Sequence, residues 1–470
     1  MATLTKTADE LGAEKPGLKA RALLFFGGAP VDRADLERRL GANQVEVLWI
    51  ESANQGLAEL ARRNAPVLID LARGPIALQL AREIRTHRPA ATLFAIADYA
   101  RPELTTEAIV AGAADVFGRP LPAERLGRML RDGWGEKSSA ASREEVGGMD
   151  DLYCFSPAMR DLLPVITKAA ATVGPMLIVG EEGCGRQAMA RAIHGSDGQS
   201  RNGRFVAFDC AAAHQDAEAL LFGASEDDEV ARGPVRIGES GRLAEARGGT
   251  LYLRNLVEMP TRVQLRLIRV LRDREVVVGR SDVSVPLDVR VIVGAAAAID
   301  TAVQDGYLHE DLYRRVTALR LHVPALRNRA EDIPALMNHA VRNACIAQGL
   351  APKSMSRSAL ALAAALPWPG NVDEMKTLVE ALIATTKNRI LIEDMLLHVR
   401  LGGDTEMLAG AETLRRARAR FERHYIAAVL RQHRGRITEA AKALGIQRPN
   451  LYRKLRALNV TRTGRRSGAA

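Results

Sequence analysis

The sequence predicts two α/β domains built on parallel sheets, followed by an all-α helix-turn-helix domain. Three observations carry that expectation. Between residues 20 and 132, short apolar runs alternate with amphipathic stretches, as in a doubly wound sheet covered by helices on both faces. From Val179 to His194 the chain reads VGEEGCGRQAMARAIH: a strand end, a glycine-rich turn, then a helix. Between Ala411 and Ala470 stand sixteen Lys and Arg against three Asp and Glu, so this stretch alone exceeds the chain's net charge of +10. Such asymmetry favours nucleic acid as a partner over a membrane or an acidic substrate.

The chain has 470 residues, enough for about three domains. Hydrophobic residues make up 47% of it, so sizeable cores can form. No run of about 18 apolar residues occurs, and no membrane span is expected. The start, MATLTKTADELGAEKPG, is polar and lacks the apolar stretch of a secretion signal. Four scattered cysteines, Cys154, Cys184, Cys210 and Cys345, have no metal-site spacing. They suggest a reducing, cytoplasmic setting. Cys184 lies in the glycine loop, where a packed thiol is expected over a reactive one.

The first domain, residues 20–132, offers strands at 22–26, 45–50, 66–70, 91–97 and 114–118. The layout resembles a response-regulator receiver. That resemblance implies an acidic pair after the first strand for magnesium, but Gly27 and Gly28 stand there. The aspartate ending the third strand is present as Asp70, the one candidate phosphoacceptor. The hydroxyl position after the fourth strand is Ala97, and the lysine before proline is Arg119. Phosphoryl transfer to a carboxylate needs a metal to offset the gathering charge. Asp70 is therefore expected to be a leftover strand-end carboxylate. Residues 133–150, rich in Gly, Ser and charge, form a linker.

The second domain, residues 151–401, opens with a helical pattern from Ser156 to Ala171. A strand from Met176 to Val179 then enters the glycine loop. Gly180, Gly183 and Gly185 fit the phosphate-loop consensus G-x-x-x-x-G-K-[ST], but the lysine position holds Arg186 and the hydroxyl position Gln187. Further segments are SPAM at Ser156, LFG at Leu221, GRLAEARGGTLYL at Gly241, EDLYRRV at Glu310 and PWPGNV at Pro367. Together they resemble the AAA+ module of nitrogen-regulator-type, sigma-54-dependent activators, which implies ATP hydrolysis to remodel a polymerase.

Position by position, the implied chemistry is altered. The magnesium aspartate and water-polarising glutamate of GGTLFLDE become Arg254 and Asn255. The first sensor is Ala296. Of two arginines reaching a neighbour's phosphate, one is His309 and the other is kept as Arg315. The second sensor is Asp373. After Gly223 the chain reads ASEDDEVARGPVRIGES instead of carrying GAFTGA, the sigma-54 contact. Phosphoryl transfer rests on charge stabilisation, metal and water activation. The expectations are therefore no hydrolysis, no enzyme, no metal and no resident cofactor. The remaining fold would be a packed scaffold and dimer platform. Alternatively it is a sensor in which Arg186 and Arg191 hold the phosphates of a nucleotide or cyclic dinucleotide.

Residues 402–411 form a second linker. Residues 412–460 follow as the DNA-binding domain, and 461–470 as a basic tail. Leu414, Phe421, Tyr425, Ile426 and Val429 give one long helix an apolar stripe. Thr438 is placed to cap a second helix and Gly445 to end it. A third helix starts near Arg448, with Pro449 in its first turn. Ala441, Gly445 and Leu451 supply the small residue, turn and core contact of crossed helices. The LYRKL segment at Leu451 makes this similar to the Fis-type helix-turn-helix.

A recognition helix turns its N-terminal residues toward base edges. Arg448 suits guanine and Asn450 adenine. Arg453 and Lys454 suit phosphates. Gln447 is a cap or a contact, and Tyr452 and Leu455 are assigned to packing. The expected function is a homodimeric, sequence-specific transcription regulator on double-stranded DNA with inverted-repeat sites. It would be independent of sigma-54 and of ATP hydrolysis, with RNA polymerase as a further partner. The alternatives are a cyclic-dinucleotide-responsive regulator and an ATP-dependent sigma-54 activator.

Overall fold

The computed structural model describes residues 21–131 and 152–398, with parts of 422–457. Short segments are left out at 28–29, 42–44, 64, 120, 173, 197–202, 214–215, 224–233 and 280–282. Both linkers, the basic tail and most of the stretch replacing GAFTGA lie outside the described residues.

Five strands form the first sheet: β1 (Arg21–Phe26), β2 (Val45–Ile50), β3 (Val67–Asp70), β4 (Leu93–Ile96) and β5 (Asp115–Phe117). Their order is β2-β1-β3-β4-β5, all parallel. β3 starts one residue later than the apolar run because Pro66 has no N–H to give the ladder. Its carbonyl still accepts from Leu24 N at 3.0 Å. Alternation along each strand sends successive side chains to opposite cores. Leu24, Phe26, Ile69 and Ala95 join one cluster, and Leu23, Phe25, Leu68 and Phe94 the other. Two covered faces explain the continuous apolar runs.

The second sheet holds β6 (Met176–Val179), β7 (Phe205–Asp209), β9 (Thr250–Arg254), β12 (Arg290–Ala295) and β13 (Arg320–His322), in the parallel order β13-β6-β12-β9-β7. A small sheet beside it pairs β8 (Val235–Ile237), β10 (Glu275–Val278) and β11 (Ser284–Pro286). The helical pattern expected over 156–171 divides into Pro157–Arg160 and Leu163–Ala170. Pro164 lacks an N–H, so a helix can begin there but not run through it.

Helices Ile333–Ala347, Arg357–Ala365 and Asn371–Thr385 build a lid, tied by the strand pair β14 (Ser354–Met355) and β15 (Arg389–Ile390). Buried Asp332 fastens the lid to the domain's first turn. It accepts from the amides of Phe155 at 2.6 Å and Ser156 at 2.8 Å, and from the Ser156 hydroxyl at 2.8 Å.

The lid also carries the first domain. Asn338 Nδ2 donates to Ala114 O at 3.0 Å, and Arg357 pairs with Glu107. Beneath them Asp115 is ion-paired with Arg125, and the Tyr153 hydroxyl donates to Asp115 at 3.0 Å. Side-chain exposure is 1% for Asp115 and 7% for Arg125, so this is a fully enclosed charged cluster. The Arg125 guanidinium lies 4.5 Å from the Tyr153 ring centre. Burial pushes the Tyr153 phenol well above its ordinary value and Arg342 nearby down to about 9.

At the C-terminal end, helices Ile437–Ala443 and Arg448–Ala457 cross over a core of Ile426, Val429, Leu430, Ala440, Ala441, Leu451 and Leu455. Leu414 and Phe421, expected on the long helix, lie outside the described residues. Thr438 is no cap: the helix begins at Ile437 with Arg436 at its N-cap, and no side chain bonds the first amides. Ile437 is buried, which draws the first turn one residue earlier.

Candidate nucleic-acid interface and phosphate loop

The turn between the last two helices is set by Gly445, at φ +65°. A side chain would be strained there. Gly445 N donates to Lys442 O at 3.2 Å and Ile446 N to Ala441 O at 3.0 Å, closing the preceding helix. The Gln447 carbonyl accepts from Asn450 N at 2.9 Å and Leu451 N at 3.1 Å, so Gln447 caps through its backbone and leaves its side chain exposed. Leu451 and Leu455, one turn apart, plug into the core.

The opposite face holds Arg448, Pro449, Tyr452 and Arg453, which line a shallow recess. Tyr452 had been assigned to packing, and the structure corrects this: it is exposed, with the Arg448 guanidinium 5.8 Å from its ring centre. The signal was its i+4 spacing from Arg448, one position off the Leu451–Leu455 stripe. Asn450 Oδ1 accepts from Arg453, leaving Nδ2 as the amide's free end. Lys454 is paired with Glu422, so a phosphate would have to compete with that carboxylate.

In the central domain, β6 delivers the chain into the glycine loop. Gly180 N donates to Ala295 O at 3.1 Å. A Cβ there would stand 2.6 Å from Cys184 Sγ and 2.9 Å from Val323 O. Gly183 and Gly185 have φ of +71° and +100°, and among the described residues their amides meet no acceptor. The loop is held from the lid side. Asn371 Nδ2 donates to Glu182 O at 2.8 Å, Val372 N to Gly183 O at 3.0 Å, and Arg329 to Cys184 O at 2.6 Å. Burial raises the Cys184 thiol, consistent with a packed rather than reactive group.

Arg186 begins the helix Arg186–Ser196 and is partly exposed, with no ion pair among the described residues. Arg254 ends β9 and pairs with Asp209 at 3.3 Å, while Asn255 Nδ2 donates to the same carboxylate at 2.9 Å. Burial pushes the Tyr252 phenol up to about 12, and the cations that act on it in the opposite direction are Arg186 and Arg254. The structure brings Arg254 to the loop's edge of the sheet through strand register: it stands opposite Gly294 of β12, which stands opposite Ile178 of β6, just before the loop that Arg186 follows. It does not bring Arg191 to the loop: that guanidinium lies 4.6 Å from the Phe205 ring centre. His309 caps the helix Glu310–Val316, accepting from Asp311 N at 3.2 Å. Asp373 stands at the loop itself, its Oδ2 3.3 Å from where a Gly183 Cβ would be.

In the first domain Asp70 is 3% exposed, bonded by Arg119 and accepting from Ala72 N at 2.9 Å. A Cβ on Gly27 would lie 2.5 Å from Asp70 Cβ, so no acid fits at that position as the backbone stands. Asp70→Asn is accordingly expected to leave DNA affinity unchanged. A wild-type affinity that shifts with a small phosphodonor, and a variant that does not respond, would show a live phosphoacceptor.

Comparison with known proteins supplies the lineage. Residues 152–322 match the sigma-54 interaction domain, 327–407 the AAA+ ATPase lid domain and 417–458 the Fis family of bacterial regulatory proteins. The chain is 30% identical over 416 residues to the transcriptional regulatory protein ZraR of Klebsiella oxytoca, covering 86% of this chain and 92% of that one. It is 28% identical over 454 residues to the DNA-binding transcriptional regulator NtrC of Salmonella typhimurium, covering 90% and 96%. Crystal structures of NtrX from Brucella abortus superpose over 94% of this chain and all of theirs. The one with ADP has a TM-score of 0.51 at 27% identity, and the one with ATP 0.51 at 29%.

These findings overturn the expectation that the chain is no enzyme. The sigma-54 interaction domain and its lid are those of an AAA+ ATPase, and the NtrX relative takes ATP, which points to ATPase activity. Altered positions do not by themselves take the chain out of that class, because the substitutions leave the loop and lid assembly standing. The magnesium ion implied by that lineage is another matter. Arg254 occupies the place of its carboxylate and is ion-paired, Gln187 that of its hydroxyl, and among the described residues no group of three metal-ligating side chains occurs. With its helix-turn-helix, this chain belongs to the NtrC-type family of enhancer-binding, DNA-binding transcriptional regulators.

Proposed function

We propose that the chain is a homodimeric, cytoplasmic, sequence-specific regulator that binds inverted-repeat DNA and acts on RNA polymerase without sigma-54. The observation that carries this reading is the exposed Arg448–Tyr452–Arg453 face of a helix whose other side is locked in a core. Arg448 and Asn450 read bases, while Arg453, Lys454 and the Gln447 side chain fix the helix on the backbone. The working division is a receiver-like domain at 20–132, the AAA+ domain at 151–401 and the DNA-binding domain at 412–460.

Independence from sigma-54 is supported by the sequence that follows Gly223, which is acidic and lacks GAFTGA. Whatever turnover the ATPase domain sustains, the promoter step is not coupled to it: Arg254 and Asn255 put a cation and an amide where metal and water would be handled. Genome-wide mapping of bound sites, paired with transcript measurement in cells with and without sigma-54, tests this. The expected result is a set of inverted-repeat sites whose genes respond to this protein in both backgrounds. A response confined to cells containing sigma-54 would overturn it.

A further inference from the structure

We infer that the glycine loop of the central domain is a metal-independent site for a nucleoside polyphosphate, with Arg186 and Arg254 in the role that a divalent cation plays in a magnesium-dependent site. The cradle is built. Gly183 and Gly185 hold left-handed conformations and present amides with no acceptor among the described residues, at the start of an eleven-residue helix. That arrangement attracts phosphate through backbone N–H groups and the helix dipole.

A second observation points the same way. Arg329 is 5% exposed, so its guanidinium is almost wholly enclosed against the loop. Its terminal nitrogens bond Cys184 O and Met159 Sδ, and among the described residues its Nε has no hydrogen-bond partner. Burial lowers its pKa, and the nearby Asp332 carboxylate acts in the opposite direction. An anion at the loop would add to the counter-charge that Asp332 gives this enclosed cation.

Asp373 stands at the loop, yet the arginines at the lysine and magnesium-aspartate positions disfavour a divalent cation and favour the bare polyphosphate. Metal-bound ATP has lost two of its negative charges to the ion, whereas the free nucleotide keeps them for arginines. Arg186 opens the helix that leaves the loop, and Arg254 ends β9 opposite Gly294 of β12, which stands opposite Ile178 of β6, so both lie at the edge of the sheet where the loop begins. Arginine stays charged at any working pH and grips phosphate through a planar fork. Asp209 now holds Arg254 at 3.3 Å, as a stand-in for the ligand's oxygens.

The test is equilibrium binding of ATP to the full chain, by calorimetry, once with excess EDTA and once with excess magnesium. Saturable binding in EDTA, no weaker than in magnesium, is the expected result. Arg186→Ala and Arg254→Ala should each weaken it about tenfold or more, the loss of one charge-assisted contact. Arg254→Lys should restore part of that loss. Asp209→Asn, which releases Arg254, should bind at least as tightly as wild type. All variants should keep wild-type DNA affinity, which separates a lost ligand contact from a lost fold and leaves the DNA reading untouched. Binding that appears only with magnesium, or no binding in EDTA, overturns the inference. So does an Arg254→Ala variant that binds as wild type does.

Discussion

Asp115→Asn is expected to destabilise the receiver-like domain and its seat on the lid by about 3–5 kcal/mol, because it removes the carboxylate with which Arg125 is ion-paired in an enclosed setting. Asp115 is the anion of an enclosed cluster with Arg125 and Tyr153, a residue that lies beyond the linker. Removing the charge keeps the shape nearly intact, so the loss reports electrostatics rather than packing. Urea unfolding followed by tryptophan fluorescence measures it, since Trp49 sits in the same domain. Limited proteolysis in the native state should show faster cutting between the first two domains. Replacing Asp115 and Arg125 together by apolar residues of similar size should recover much of the loss, as buried ion pairs seldom outperform good packing. A midpoint within error of wild type for Asp115→Asn would show that water reaches the pair and that the cluster does not hold the domains together.

Arg448→Ala should cost about 1–3 kcal/mol at a specific site and relax preference at one base pair per half-site. Two-fold pairing places the half-sites about one helical turn apart. Lys454→Ala serves as the contrast. Its ammonium is paired with Glu422, so its removal should weaken all sequences by a similar small factor and flatten the salt dependence only slightly. Competition binding against random DNA at several salt concentrations separates reading from holding. An Arg448→Ala variant that keeps wild-type affinity for the specific site at moderate salt would remove Arg448 from the recognition surface. A loss shared equally with random DNA would make it a phosphate contact.

Tyr452→Ala extends the same experiment to the residue that sequence spacing had assigned to packing. Being exposed beside Arg448, it should lower DNA affinity without changing thermal stability. A fall in melting temperature of the kind expected for a core aromatic would return it to the packing role.

By itself the sequence determined what depends on local pattern. Apolar runs gave the five strands of the first sheet to within a few residues, because parallel strands covered on both faces need continuous hydrophobicity. Glycines at 183, 185 and 445 marked turns that side chains cannot enter, and the charge excess at the C-terminal end marked the DNA-binding domain. Family motifs then fixed the lineage, although reading each altered catalytic position in isolation led to the mistaken conclusion that no enzyme remained. Only the tertiary structure decided which distant groups share a space. It set Asp115 of one domain against Tyr153 of the next, closed Arg119 over Asp70, and turned Arg191 onto Phe205 and away from the loop. It also brought Arg186, Arg254 and Arg329 to one end of the central sheet, around a single loop, from three separate stretches of chain. Periodicity describes neighbours along a helix or strand, whereas the partners of a buried charge are set by how sheets and lid pack, and that information lies in no one segment.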